Sequence, residues 1–229
     1  MHKKEKLKFR HEWKYQINAL DREILRHRLR NLISGDSHSV DGGYRVKSLY
    51  FDTLGDKALR EKIDGVNCRE KFRIRYYEDN TDFIRLEKKS KVNGLCNKQS
   101  ERIQKEEVEA ILHGNIEWMA ACGRPLLQEL YAKMKGEGLH PVKIVQYDRE
   151  AFVYAPGNVR VTLDYNIRIG IDPENFLMSE YLTIPAEENA IILEVKWDEF
   201  LPDIIRMAVA LDSRRVGAFS KYAACRVYG

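Results

Sequence analysis

Charged side chains occupy most of the alternate positions in five short segments of the chain, and mainly apolar or aromatic side chains fill the positions between them. In one segment, Arg73 and Arg75 alternate with Phe72, Ile74 and Tyr76. The five segments are residues 9–15, 72–76, 84–89, 159–164 and 193–197. Arginine offers a fixed fork of donors that matches phosphate oxygens, and lysine adds a mobile positive charge. The chemistry that this pattern could perform is therefore the binding of a polyanion.

Such alternation is typical of β-strands, because successive side chains of a strand point to opposite faces. If the apolar faces of these strands pack on helices, their charged faces must meet one another inside a barrel. The lumen would then be mostly basic and partly acidic, and it would suit a polyanion and a metal ion. By itself, the alternation is explained equally well by an ordinary solvated sheet face.

Three glutamates lie on these charged faces, each within two residues of a lysine. The glutamates are Glu12, Glu87 and Glu194, and their lysine neighbours are Lys14, Lys89 and Lys196. The carboxylates could serve as salt-bridge partners that separate like charges. They could also bind Mg²⁺ or Mn²⁺, hard ions that take carboxylate oxygens and leave positions open for phosphate. Both roles can hold at once.

Three further cations are ambiguous from their sequence context. Lys98 lies in a polar stretch, and Arg149 lies in the segment QYDREAF. Lys221 lies in a predicted terminal helix beside Phe219 and Tyr222. Each of the three could be a surface charge or could point into a charged site.

The composition limits the classes of protein that the chain can belong to. Of its 229 residues 32% are charged, yet 39 basic and 35 acidic residues leave a net charge of only +4. This balance argues against a protein that coats nucleic acid, so any affinity for polyanions must come from where the charges lie. The four cysteines form no CxxC pair, which disfavours a zinc site and favours a reduced, cytoplasmic setting. We expect neither a secretory signal nor a transmembrane segment.

Periodicity and turn residues predict a single domain over residues 1–229 with an α+β fold. It is an antiparallel β-barrel of about eight strands, with helices packed outside and at the C-terminus. Asn18 and Asp21 give the first helix a capping-box-like start, and the stretch 90–100 is predicted to be a loop entering a short strand. The predicted strands are 7–15, 44–51, 69–77, 82–89, 141–153, 159–164, 167–171, 181–184 and 190–197. The predicted helices are 18–33, 56–62, 105–112, 125–135, 201–211 and 218–228.

Eight segments, taken in order, carry a resemblance to a known family. They are FRHEWKY, SLYFDT, KFRIRYY, RLEKKSK, YDREAF, RVTLD, ILEVKW and GAFSKY. This set resembles the polyphosphate polymerase domain of the VTC (vacuolar transporter chaperone) family, which belongs to the CYTH-like triphosphate tunnel metalloenzymes. The resemblance runs over nearly the whole chain. It implies a tunnel lined by basic residues, a Mn²⁺ or Mg²⁺ cofactor, and transfer of the γ-phosphate of ATP to a growing polyphosphate chain.

The resemblance also implies roles for individual residues. Catalytic roles fall to Lys14, Arg73, Arg75, Lys89 and Glu194. Phosphate-binding roles fall to Arg10, Lys98, Arg149, Arg160, Lys196 and Lys221. Glu194 would bind the metal, with Glu87 and Glu12 as further candidates. The expected partners are ATP and inorganic polyphosphate or triphosphate, with no nucleic acid, and a membrane protein could serve for export of the product.

One position departs from the pattern of the hydrolytic tunnel enzymes, whose first strand carries ExExK. Here the stretch reads Arg10-His11-Glu12-Trp13-Lys14, so an arginine replaces the first glutamate. The replacement favours a polymerase over a hydrolase, because it removes one metal ligand and adds a phosphate anchor. Two alternatives stay open: an inorganic or organic triphosphatase of the same fold, and a non-catalytic module that binds polyphosphate or nucleotide.

Overall fold

The alternating segments build one antiparallel sheet. A computed structural model of the chain describes residues 10–33, 43–92, 95–186, 190–211, 217 and 219–227. Within them, nine strands pair in the order β1-β9-β7-β6-β2-β3-β4-β5, with β8 beside β7. The strands are β1 (His11–Ile17), β2 (Tyr44–Asp52), β3 (Arg69–Tyr77), β4 (Asn80–Val92), β5 (Leu95–Ile103), β6 (His140–Tyr154), β7 (Val159–Gly170), β8 (Thr183–Pro185) and β9 (Ile191–Trp197). The predicted α+β tunnel of about eight antiparallel strands is confirmed.

Helices occupy the connections and the C-terminal part of the described chain. They are α1 (Ala19–Leu32), α2 (Lys57–Ile63), α3 (Lys105–Leu112), α4 (Pro125–Glu137), α5 (Asp203–Ala208) and α6 (Lys221–Val227). The predicted capping box is confirmed: the Asn18 side chain accepts from the backbone N–H of Asp21, and the Asp21 carboxylate accepts from that of Asn18. None of the helices in the described parts of the chain has the length and apolar character that a membrane span requires.

The apolar faces of the strands are buried under the helices. Ile74 of β3 and Leu86 of β4 join one core cluster with Leu127 of α4. Leu193 of β9 joins a second core cluster with Leu29 of α1. Because each strand alternates, burial of these side chains turns the charged side chains of the same strands to the concave face of the sheet. The packing therefore produces a charged interior.

Several predicted boundaries were wrong. Residues 90–100 are not mainly a loop: β4 continues to Val92, and β5 begins at Leu95. The polar composition of β5 is tolerated because this strand lies at the edge of the sheet, where it pairs only with β4 among the described residues. The predicted strand 167–171 is the end of β7, which pairs with β8. Helices α5 and α6 are shorter than predicted, and residues 7–9, 218 and 228 of the predicted elements lie outside the described part.

The sheet curls so that β1, at one edge, approaches β4, the strand next to the other edge. Lys89 Nζ of β4 lies 3.5 Å from a carboxylate oxygen of Glu12 on β1. Helix α6 lies at one wall of the resulting tunnel, where the ring of Tyr222 stacks on that of Tyr50 with centroids 5.1 Å apart. A chain segment far from β1 in sequence therefore completes the tunnel.

A buried carboxylate fixes α6 and α2 together. Asp52 accepts hydrogen bonds from the backbone N–H groups of Ala58 and Leu59 at 2.8 and 3.1 Å, which orients the start of α2. The Tyr222 hydroxyl of α6 donates to the same carboxylate. Asp52 is fully buried, so the loss of any donor leaves an acceptor without water to replace it.

Replacing Tyr222 by Phe should therefore lower the free energy of unfolding by about 1–3 kcal/mol, as measured by urea denaturation. Tyr131→Phe is the matched control, because the Tyr131 hydroxyl donates to Glu117 at 2.7 Å on the surface and water can replace it. Its cost should stay below about 1 kcal/mol. Equal losses in the two variants would contradict the role assigned to Tyr222.

Candidate functional site

A cavity of about 340 Å³ lies on the concave face of the sheet, where the charged faces of the strands converge. Strands β1, β3, β4, β5, β6 and β9 and helix α6 all contribute to its lining. Eleven of the thirteen predicted site residues line it. They are Glu12, Lys14, Arg73, Arg75, Glu87, Lys89, Lys98, Arg149, Glu194, Lys196 and Lys221. The structure therefore gathers residues from distant parts of the chain into one site.

The other two predicted residues, Arg10 and Arg160, do not line the cavity. Arg10 Nε lies 2.7 Å from the Asp198 carboxylate, and its Nη2 donates to the carbonyl oxygen of Asn158. Arg160 Nη2 donates to the Tyr44 hydroxyl at 2.9 Å. Both arginines occupy charged positions of the alternation, but alternation specifies a face of the sheet and not a position along the tunnel. The structure thus corrects the expected location of both side chains.

Glu87 is the centre of one cluster of charges. Its side chain is 2% exposed and lies opposite Arg73 across the β3–β4 ladder. Arg73 Nε and Nη2 lie 2.8 and 2.7 Å from Glu87 Oε2, and Arg75 Nη2 lies 2.5 Å from Oε1. Lys98 Nζ, from β5, lies 2.6 Å from the same Oε1. One carboxylate therefore holds three cations from two strands in fixed positions along the lumen.

Burial and charge shift the pKa values in this cluster in different ways. Burial opposes ionisation of Glu87, but Arg73 and Arg75 outweigh it and lower the pKa of Glu87 below the ordinary 4.5. Burial lowers the pKa of Lys98 to about 8, since the attraction of Glu87 is partly cancelled by the repulsion of the arginines. At neutral pH, Glu87 is therefore ionised, and Lys98 titrates just above neutrality.

A second cluster lies where β1 pairs with β9. The register places Glu12 opposite Lys196. Two residues further along β1, it places Lys14 opposite Glu194. Lys14 Nζ lies 3.2 Å from a Glu12 oxygen and 3.1 Å from a Glu194 oxygen. Lys196 Nζ lies 3.5 Å from Glu12 and also contacts Glu194. Two carboxylates therefore share the same two lysines.

Both of these carboxylates are ionised at neutral pH. Burial and the repulsion of Glu194 oppose ionisation of Glu12, but Lys14 and other nearby lysines outweigh them, and the pKa of Glu12 is lowered. Burial also opposes ionisation of Glu194, yet Lys196 and Lys14 bring its pKa well below the ordinary value. In return, the two glutamates raise the pKa of Lys14 against the effect of its burial. The pair is thus anionic and Lys14 is cationic.

The third cluster surrounds Asp164 of β7, a fully buried residue that was absent from the predicted site. Arg149 Nε and Nη2 lie 2.6 and 2.8 Å from its two carboxylate oxygens. Lys221 Nζ lies 2.5 Å from Oδ2 and 4.7 Å from the centroid of the Tyr147 ring. Burial opposes ionisation of Asp164, but Arg149 and Lys221 lower its pKa below the ordinary 3.8. Its place on the charged side of the 159–164 alternation is the signal that could have identified it.

Comparison with known proteins identifies the family. The family model described as the VTC domain matches residues 9–228, which is nearly the whole chain. The chain belongs to the VTC domain family. The match confirms the resemblance predicted from the eight sequence segments. No curated protein sequence is significantly similar to this VTC domain.

The structure of the VTC domain is similar to several solved structures. HpAC1 from Hippeastrum, for which a dominant triphosphatase activity is described, is 14% identical, with a TM-score of 0.57 over 96% of this chain and 95% of the other. A candidate adenylate cyclase from Vibrio parahaemolyticus is 10% identical, with a TM-score of 0.48 over 88% and 83% of the two chains. Protein PH1012 from Pyrococcus horikoshii OT3 is 13% identical, with a TM-score of 0.49 over 93% and 96%. The similarity to HpAC1 establishes a common tunnel fold.

Four cations that were absent from the predicted site also line the cavity of the VTC domain. They are Lys62, Arg69, Lys71 and Lys91. Arg69 and Lys71 precede Arg73 on the same face of β3, so the same alternation, followed further back, would have found them. Burial, together with repulsion from Lys89, lowers the pKa of Lys71 well below its ordinary value. Among the described lining residues, twelve are Lys or Arg and four are Glu, which makes the lumen strongly positive.

The donor set decides which carboxylates of the VTC domain could hold a metal ion. Among the described residues, no three His, Cys, Asp or Glu side chains come together as a metal site. Glu12 and Glu194 are nonetheless two ionised carboxylates that share the same lysines. This pair fits a hard divalent ion that takes one or two carboxylates and completes its shell with water and phosphate oxygens. Glu87 fits less well, because two guanidinium groups and Lys98 bind its oxygens, whereas among the described residues the oxygens of Glu12 and Glu194 are bound by lysines alone.

Replacing Glu87 by Gln should destabilise the VTC domain by about 3–5 kcal/mol, because the buried cations around it lose their partner. The wild-type contribution is complete at pH 7. A carboxylate with a lowered pKa stabilises the fold above its ordinary pKa of 4.5, and the stabilisation is lost as the pH falls toward the lowered value. Urea denaturation at pH 7 measures the loss.

Glu101→Gln is the matched control for this variant. Glu101 pairs with Arg124 at 2.8 Å but is 24% exposed, so its replacement should cost less than about 1 kcal/mol. Inorganic pyrophosphate should restore part of the stability of Glu87→Gln, since an added anion can occupy the place of the carboxylate. Equal losses in the two variants would contradict the central role of Glu87.

Proposed function

We propose that this VTC domain is a metal-dependent polyphosphate polymerase that transfers the γ-phosphate of ATP to a growing polyphosphate chain inside the tunnel. The observation that carries the proposal is the charge of the lumen, in which twelve basic side chains stand against four glutamates. An anion with many charges along its length would neutralise such a lumen, and a phosphate chain is an anion of this kind. ATP and inorganic polyphosphate or triphosphate are the proposed ligands.

The arrangement of donors supports phosphate as the ligand. Lys71, Lys89 and Lys98 lie directly opposite one another across β3, β4 and β5. Lys98 pairs with Glu87 and Lys89 lies 3.5 Å from Glu12, whereas Lys71 forms no ion pair with a described carboxylate. Like charges in this relation repel, so an anion that bridges the row would stabilise it. Arg75 Nε is buried and has no hydrogen-bond partner among the described residues, a cost that a phosphate oxygen would relieve.

The proposed transfer needs alignment and charge neutralisation more than a protein nucleophile. An oxygen of the terminal phosphate of the acceptor chain would attack the γ-phosphorus of ATP. The bond between that oxygen and the γ-phosphorus forms, the bond to the bridging oxygen breaks, and ADP leaves with the electron pair. Arginine and lysine side chains of the lumen would hold donor and acceptor end to end and neutralise the charge on the reacting oxygens.

Glu194 and Glu12 are the proposed ligands of the divalent ion, Mn²⁺ or Mg²⁺. When bound, such an ion polarises phosphate oxygens and shields their charge. Both carboxylates are already ionised, so they have no proton to lose. Lys14 and Lys196 contact both carboxylates and lie where they could turn to phosphate oxygens.

A triphosphatase is the second candidate, and the activity described for HpAC1 favours it. The first strand favours the polymerase. Arg10 replaces the first glutamate of the hydrolytic ExExK pattern and pairs with Asp198, so β1 supplies only Glu12 as a carboxylate in the cavity. A hydrolase that activates water with two metal ions needs many carboxylate ligands. A polymerase that holds a donor and an acceptor phosphate chain needs fewer, so the loss of this glutamate favours the polymerase.

The proposed setting is the cytoplasm, where ATP is available and thiols stay reduced. All four cysteines are free in the structure. Export of a polyphosphate product would require a membrane-protein partner, and no nucleic acid takes part in the proposed reaction.

The decisive experiment is incubation of the purified protein with ATP and Mn²⁺ and analysis of the products. We expect long acid-labile phosphate chains together with ADP. Glu194→Gln should lower the rate about a hundredfold or more, because the loss of metal binding removes several kcal/mol of charge stabilisation. Binding of polyphosphate by this variant, measured by calorimetry, should be largely retained.

Glu129→Gln is the control, since Glu129 pairs with Lys88 away from the cavity and should leave the rate unchanged. Release of free phosphate from triphosphate without chain growth would overturn the polymerase in favour of the triphosphatase. Binding of polyphosphate with no turnover under any metal would leave only the binding module.

The affinity for tripolyphosphate should depend on pH through Lys98. Its pKa of about 8 means that the side chain is cationic below that pH and neutral above it. Affinity should therefore fall by about tenfold as the pH rises through this range, because one charge-assisted hydrogen bond is lost. Lys98→Arg should abolish this step, since arginine stays charged. Identical pH profiles of wild type and Lys98→Arg in calorimetry would refute the assignment, and Lys105→Arg on α3 is the control.

A further inference from the structure

Two cations lie side by side at one end of the β3–β4 ladder without a carboxylate to separate them. Arg69 and Lys91 are directly opposite in the antiparallel register, a position in which like charges destabilise a sheet. Neither forms an ion pair with any described carboxylate. The Arg69 guanidinium is held in place because Nη1 donates to the carbonyl oxygen of Val66 at 2.6 Å. The pair is therefore a positioned, uncompensated positive charge.

This pair lies at the junction of the tunnel with a second cavity. The second cavity, a cleft of about 450 Å³, lies between α2, α4 and the ends of β3 and β4. Arg69, Lys71 and Lys91 line both the tunnel and the cleft. Glu70 also lines both cavities, but its carboxylate pairs with Lys88 and Lys133. A ligand that fills the tunnel and continues past these side chains would enter the cleft.

The lysines deeper in the cleft are neutralised, in contrast to the pair at the junction. Lys57 Nζ lies 2.8 Å from Glu137, and Lys133 Nζ lies 2.8 Å from Glu70. Lys88 Nζ lies 2.9 Å from Glu70 as well. Unpaired positive charge is thus concentrated at the junction and not distributed over the cleft.

We propose that Arg69 and Lys91 form an anion subsite for the part of a linear polyphosphate that extends beyond the tunnel into the cleft. This inference rests on the proposed function. It adds the path by which the polyphosphate chain leaves the lumen, which runs past the ends of β3 and β4. Arg69 lies four residues, or about 13 Å along the strand, from Arg73. A triphosphate held at Arg73 and Arg75 is too short to reach this subsite, whereas a longer chain reaches both.

The test compares two anions, tripolyphosphate and a long-chain polyphosphate of defined length. Their affinities are measured by calorimetry, over a series of salt concentrations, for the wild type and for Arg69→Gln/Lys91→Gln. The double variant should weaken long-chain binding at least about tenfold more than tripolyphosphate binding, because two charge-assisted contacts are lost from the long chain. For the long chain, the slope of log K against log salt concentration should also become shallower by about 1 for each basic residue removed.

Two further variants separate specific loss from general effects. Lys105→Gln/Lys135→Gln removes the same charge from exposed positions on α3 and α4 and should leave the ratio of the two affinities unchanged. Arg69→Lys/Lys91→Arg keeps both charges and should retain most of the long-chain affinity. If the double glutamine variant does not fold, the two single variants carry the same comparison.

The outcomes distinguish this subsite from the proposed function. If neither anion binds the wild type, the proposed function itself is wrong. If both anions bind but the double glutamine variant weakens them by the same factor, or weakens neither, the subsite is wrong and the proposed function stands.

Discussion

Repulsion among cations enclosed in one lumen is the constraint on which the structure depends. Three buried carboxylates reduce this repulsion, and each pairs with two or three cations. Glu87 pairs with two arginines and Lys98, Glu194 with Lys14 and Lys196, and Asp164 with Arg149 and Lys221. Without these carboxylates, so many cations would not pack side by side. Because there are fewer carboxylates than cations, the lumen keeps the excess charge that a phosphate chain requires.

The same arrangement links stability to binding. A carboxylate held by several cations fixes their side chains before any ligand arrives, so less conformational freedom is lost on binding. Where no described carboxylate pairs with either of two opposed cations, as at Arg69 and Lys91, like charges face one another across the ladder. The protein therefore stores unfavourable interactions at the places where an anion would relieve them. The apolar cores on the outer face of the sheet supply the stability that makes this tolerable.

Much of this could be predicted from sequence, because a period of two fixes which face of a strand each residue occupies. The alternation predicted the strands and eight of the lining residues. The family resemblance added Lys98, Arg149 and Lys221, and it favoured a charged interior over a solvated sheet face. The alternation did not give depth along the tunnel, so Arg10 and Arg160 were expected in a cavity that they do not line. The family resemblance assigned roles to Arg73 and Arg75 but not to Lys71, although Lys71 lies on the same face of β3 by the same alternation. The same alternation includes Asp164, but its role as the shared partner of Arg149 and Lys221 is visible only from their contacts.

The pairing of β1 with β9 has a consequence for how the protein is made. The first described strand on the chain hydrogen-bonds with the last, and Lys221 follows later still. During synthesis, the edge of β1 that pairs with β9 therefore stays unpaired until β9 has left the ribosome. Contacts between such distant segments form slowly, and exposed edges invite association with other chains. The charged face of β1, with Glu12 and Lys14 along it, would keep that waiting edge in water and away from other strands.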